Sequence, residues 1–148
     1  MFIFAKFLHI LGFTVWVGGM FFAHNALRPT AAMLLEPPQR LPLLAGTLGR
    51  FFKWVWLAVA LVLFSGLFMM AMLGKPPLYI TLMAVLGIVM MLIFGHIFFS
   101  PNRKLQRAVL AKDWPAGGAA MAQIRKLVAV NLYIGLITIA VAALGPLA

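Results

Sequence analysis

The sequence contains no cysteine. Disulfides, thiolate metal sites and cysteine nucleophiles are thereby excluded, and any metal must be held by His, Met, Asn or backbone groups. Acidic residues are nearly as scarce. Glu36 and Asp113 are the only two, and both fall between apolar runs. Paired-carboxylate chemistry inside a membrane is therefore excluded. Charged residues of all kinds make up 9% of the 148-residue chain, where a soluble surface carries about 25–35%. No basic stretch precedes the first apolar run and no small-residue cleavage pattern closes it, so a cleaved signal peptide is not expected and the first helix is expected to stay.

Apolar side chains dominate instead. They form 65% of the chain, with a mean hydropathy of +1.08, whereas a soluble domain is about half apolar. Four runs reach the ~20 residues needed to cross hydrocarbon. They are roughly residues 2–26, 51–73 and 78–100, and a fourth whose apolar part covers 127–144. The expected fold is all-α: a four-helix integral membrane bundle forming a single domain over 1–148. The fourth helix is expected to start before the membrane, over about 119–145. Arg28-Pro29 reads as the end of the first helix, and Glu36-Pro37-Pro38-Gln39-Arg40-Leu41-Pro42 as an irregular loop. Segments 27–50 and 101–118 are the expected large loops, with an amphipathic interfacial helix over Arg103–Lys112.

The net charge of +10 does not point to nucleic acid, because the basic residues lie between hydrophobic runs. Ten of the twelve fall in or beside the two large loops, leaving Lys6 and Lys75 on the other side. The positive-inside rule makes those loops cytoplasmic and both termini external, in a bacterial-type inner (plasma) membrane. The expected partners are the lipid bilayer and, at the cytoplasmic loops, anionic headgroups. A homodimer or a membrane partner would extend so short a bundle.

Polar groups inside a membrane are costly and point to function. In the first span Lys6, His9, Phe13, Trp16, Met20 and His24 form one stripe, expected to face the interior. Gly12 and Gly19 beside it would admit a neighbouring helix closely. At 1.5 Å per residue His9 and His96 differ by roughly 15 Å in depth, so they are not expected to share an ion. Two candidate sites follow. The inner one is His24, His96 and Met20, with Asn131 nearby. The outer one is His9 with the second span, where Ser65, Met69 and Met72 share a face. Thioethers are soft ligands suited to Cu(I), and imidazole suits copper and haem iron. Most of the ten methionines read as packing. Phe51, Phe52, Trp54 and Trp56 read as an interfacial aromatic belt.

Lys6-Phe7-Leu8-His9, Trp16-Val17-Gly18-Gly19-Met20, Arg28-Pro29, Glu36-Pro37-Pro38-Gln39-Arg40, Arg50-Phe51-Phe52, Gly95-His96 and Ile124-Arg125-Lys126-Leu127-Val128 occur in that order. Together they resemble short, single-bundle members of the copper resistance protein D (CopD) family. The Lys-x-x-His and Gly-His elements are also distantly similar to HemJ-type protoporphyrinogen oxidases, membrane proteins associated with haem b. These resemblances point to His9 and His96, and less directly to His24. They imply copper handling at the inner membrane; on the two candidate sites read above, His9, Met69 and Met72 would then serve the outer side and His24, Met20 and His96 the inner side. They also imply a haem b alternative, in which a diagonal His24/His96 pair clamps a macrocycle for electron transfer or porphyrinogen oxidation. A cofactor-free accessory subunit is the third reading.

Overall fold

The computed structural model describes residues 1–147, and among these there is no strand. Helix α1, Phe2–Phe22, runs through a π-helical turn, Ala23–Leu27, into α2, Arg28–Leu34. Helix α3 is Pro37–Leu73, α4 is Leu78–Phe99, α5 is Pro101–Leu110 and α6 is Trp114–Leu144, closed by a 3-10 turn over Gly145–Leu147. Four continuous helical stretches are long and apolar enough to span a bilayer: Phe2–Leu34, Pro37–Leu73, Leu78–Leu110 and Trp114–Leu147.

Helix α1 packs along α3, and α4 along α6. The backbones of α1 and α4 do not approach one another, and their side chains fill the space between. Trp16 meets Phe94 edge-on at 6.2 Å between ring centroids, and Phe52 meets Phe94 at 5.5 Å. Met20, Val55, Met90, Ile97, Ile124 and Leu132 complete this core. Small residues set the close approaches, as the stripe in the first span predicts. A Cβ at Gly12 would lie 3.0 Å from the Ala58 carbonyl, and one at Gly19 would run into the Phe51 ring.

Segment 37–50 is helix, not loop. Pro37 and Pro38 occupy the first helical positions, where the missing N–H has no intrahelical role and the fixed φ favours the helix. At about 1.5 Å per residue, the 37 residues of α3 extend roughly 55 Å, well beyond ~30 Å of hydrocarbon. Its first part therefore stands clear of the apolar zone. There it packs with α2, α5 and the start of α6. Leu41, Leu44, Ala45 and Leu48 are buried in this layer with Leu105, Ala108 and Ala120. The Gln106 side chain donates to the Ala45 carbonyl at 2.9 Å.

Two further boundaries differ from expectation. The chain does not leave the helix at Arg28-Pro29. A proline ring clashes with the carbonyl four residues back, here that of Asn25. The wider turn, in which Arg28 N–H donates to the Ala23 carbonyl, absorbs the misfit and the helix resumes. The last long helix starts at Trp114, five residues before the expected 119. The Asp113 carboxylate caps it by accepting from Ala116 N–H at 3.2 Å, an arrangement favoured at helix starts. Gly117 lies within this helix, and its missing side chain leaves room for Leu41, whose Cδ1 would lie 3.1 Å from an added Cβ.

Candidate functional site

The outer candidate forms in part. His9 is half-buried against α3, and its Nδ1 lies 3.1 Å from the Val62 carbonyl and 3.0 Å from Ser65 Oγ. A carbonyl only accepts, so Nδ1 carries the proton and shares it between the two oxygens. Ser65 Oγ in turn donates to the Leu61 carbonyl, which leaves its lone pairs toward the imidazole. The other ring nitrogen, Nε2, is thereby the unprotonated one, with a free lone pair. Gly66 gives the ring its place: a Cβ there would lie 3.1 Å from His9 Cε1. Met69 is half-buried one turn beyond Ser65, and Met72 is exposed near the end of α3. Lys6 is exposed rather than interior. An apolar groove of about 270 Å³ beside the site is lined by Phe4, Leu8, Leu61, Phe64 and Phe68, among others.

The inner candidate does not assemble. Helix α4 turns Met90, Phe94 and Ile97 inward, which leaves His96 exposed on the outside of the bundle. The backbone of the π turn carrying His24 does not approach that of α4. Met20 is buried in the aromatic core, next to Trp16. Asn131 is also buried, and its amide donates to the Met90 carbonyl at 3.3 Å while its Oδ1 has no partner. The void lined by Trp16, Met20, Phe52, Phe94 and Asn131 measures about 20 Å³, room for about one water. A macrocycle needs on the order of several hundred Å³. The interior His24/His96 clamp is therefore not formed, and the residues present do not fit a haem between α1 and α4. Among the described residues no three His, Cys, Asp or Glu side chains come together as a metal site.

His24 has different company. The π turn packs against α6, and the charges acting on His24 are those of Arg28 and Arg125. The Nε of Arg28 is buried without a hydrogen-bond partner. From sequence, both arginines read only as orientation signals. The pairing of position 28 with position 125 has no signature in a one-dimensional pattern. Gly66 is likewise visible only once α1 is docked on α3.

A family model described as copper resistance protein D matches residues 45–144. The chain belongs to the CopD family. The matched residues cover α4, α5, α6 and all of α3 beyond Leu44. Helix α1, with Lys6, His9, Trp16 and Met20, and the π turn with His24 lie outside them. No curated protein and no solved structure matches the chain, and the HemJ likeness finds no support in these comparisons. Family and spans together make this a multi-pass membrane protein of a family linked to copper resistance.

Proposed function

We propose that this CopD-family protein handles copper as cargo in a bacterial-type inner membrane, taking Cu(I) at its outer face through His9 Nε2. The observation that carries this reading is the double hydrogen bond on His9 Nδ1. Ligating histidines characteristically donate their other nitrogen to a fixed acceptor, which sets the tautomer and raises ligand basicity. Met69, one turn from Ser65, supplies a soft thioether, and Met72 a second one nearer the surface. One imidazole with thioethers suits a monovalent soft ion. So small a donor set favours passage over permanent storage. Both termini lie outside in this reading, so His9 meets copper arriving from the periplasmic side.

The test is Cu(I) competition titration of the detergent-purified protein against a chromophoric chelator. His9→Ala is expected to abolish competition. Ser65→Ala is expected to weaken it about tenfold, the lower end of the range for a lost outer partner. Unchanged competition in His9→Ala removes the reading. An oxidised-minus-reduced optical spectrum of the same protein, expressed with haem precursor, decides the haem alternative: a Soret band lost in His96→Ala would establish it. Absence of both copper competition and haem absorption would leave the cofactor-free accessory role.

A further inference from the structure

We infer that His24, Arg28 and Arg125 form a binding site for a phosphate group at the basic end of the bundle. Three observations carry this. The first is the composition of the cluster. His24 and Arg28 come from the π turn and its continuation, and Arg125 comes from α6, which packs against that turn. The charged groups acting on this cluster are its own members, all of one sign. The chain's two carboxylates are elsewhere: Asp113 caps α6, and Glu36 sits at the start of α3.

The second observation is the orphaned Arg28 Nε, buried without an acceptor. A buried guanidinium nitrogen without a partner is costly, and an anionic oxygen is the group that satisfies it. The third is the π turn itself. It accommodates Pro29 and at the same time sets the segment that carries His24 and Arg28 against α6. Here the turn carries His24 into a helix that continues through Pro29. The positive charges of Arg28 and Arg125, which both act on His24, disfavour a metal cation there and favour an anion. Arginine donors match phosphate oxygens in a fork geometry. His24 contributes a further ring N–H.

The phosphate has two sources, a lipid headgroup or the free ion, and one set of experiments separates them. The protein is placed in nanodiscs of phosphatidylcholine with phosphatidylglycerol, and retained lipid is read by native mass spectrometry. In parallel, inorganic phosphate is titrated into the protein in phosphatidylcholine alone while Tm is recorded. Retention of phosphatidylglycerol is expected to fall about fivefold in Arg28→Gln and again in Arg125→Gln, and to stay unchanged in Lys104→Gln, an exposed cation on α5. Arg125→Gln lies on the exposed side of α6, so it serves even where Arg28→Gln disturbs folding. Selective retention without a phosphate effect on Tm assigns a headgroup. A rise in Tm with inorganic phosphate, lost in Arg125→Gln, assigns the free ion. Equal losses in all three variants would reduce the cluster to diffuse surface charge and overturn the proposal. Indifference of the wild type to both probes would overturn it as well.

Discussion

His9 is defined by what its neighbours on α3 lack and offer. Val62 offers a carbonyl, Ser65 a hydroxyl, and Gly66 offers no side chain at all. A helix-interior glycine costs about 1 kcal/mol against alanine, so Gly66→Ala on propensity alone would stabilise α3. The added methyl would sit 3.1 Å from His9 Cε1, tighter than an ordinary contact, and the ring must shift away from Val62 and Ser65. The expected outcome is separation of two properties. Thermal stability of Gly66→Ala changes little, while Cu(I) affinity falls toward that of Ser65→Ala. Wild-type affinity in Gly66→Ala would show that the seating of the ring does not matter to copper. His96 gives the opposite lesson: an intramembrane histidine whose helix turns it outward, beside inward-facing Phe94 and Ile97.

The helices are governed by their ends. The start of α6 depends on Asp113, whose carboxylate holds the Ala116 N–H, and on Pro115 in the first turn. Loss of such a cap costs roughly 1 kcal/mol. Asp113→Ala is expected to fray α6 back toward Gly117. That fraying would also release α5, which packs on this part of α6. Hydrogen exchange should therefore accelerate over 114–118 and 103–110 and remain slow over 127–140. Uniform slowing or no change at the α6 start would contradict the capping role. The π turn follows the same logic from the other side. It keeps α1 and α2 continuous across Pro29 by moving one hydrogen bond a residue further back, from i→i+4 to i→i+5.

At the scale of the whole molecule, two layers share the same helices. An apolar layer is held by the Trp16, Phe52 and Phe94 rings. A second layer at the basic end is built from α2, the start of α3, α5 and the start of α6. The orientation proposed above rests on the bias of basic residues toward that end. Because the chain has no cysteine, single cysteines can be labelled without background. In intact bacterial spheroplasts, Lys75→Cys is expected to react with a membrane-impermeant maleimide. Lys104→Cys is expected to react only after permeabilisation. The reverse pattern would invert the protein, put His9 on the cytoplasmic side and remove the periplasmic route for copper proposed above.

Composition alone determined that this chain lives in a bilayer. With 65% hydrophobic residues arranged in spans of sufficient length, helices that satisfy their own backbone were the available solution. The outer site was also half legible, because His9 and the Ser65 face of the second span each stand out as polar in apolar surroundings. The connections were not legible. Pro37, Pro38 and Pro115 read as breakers in a linear pattern, yet a proline disturbs a helix through the carbonyl behind it, by the missing N–H and the ring clash. At helix starts no intrahelical carbonyl lies behind it. Tertiary structure alone decided which polar residues meet. Residue count puts His24 and His96 at similar depth, but the α1 and α4 backbones stay apart and large rings occupy the space between. Arg28 and Arg125, 97 residues apart in sequence, are brought to the same end of the bundle because the π turn packs on α6. Depth is readable from residue count, since the helical rise is fixed. Rotation and neighbour are not, since they depend on how side chains of every helix pack at once.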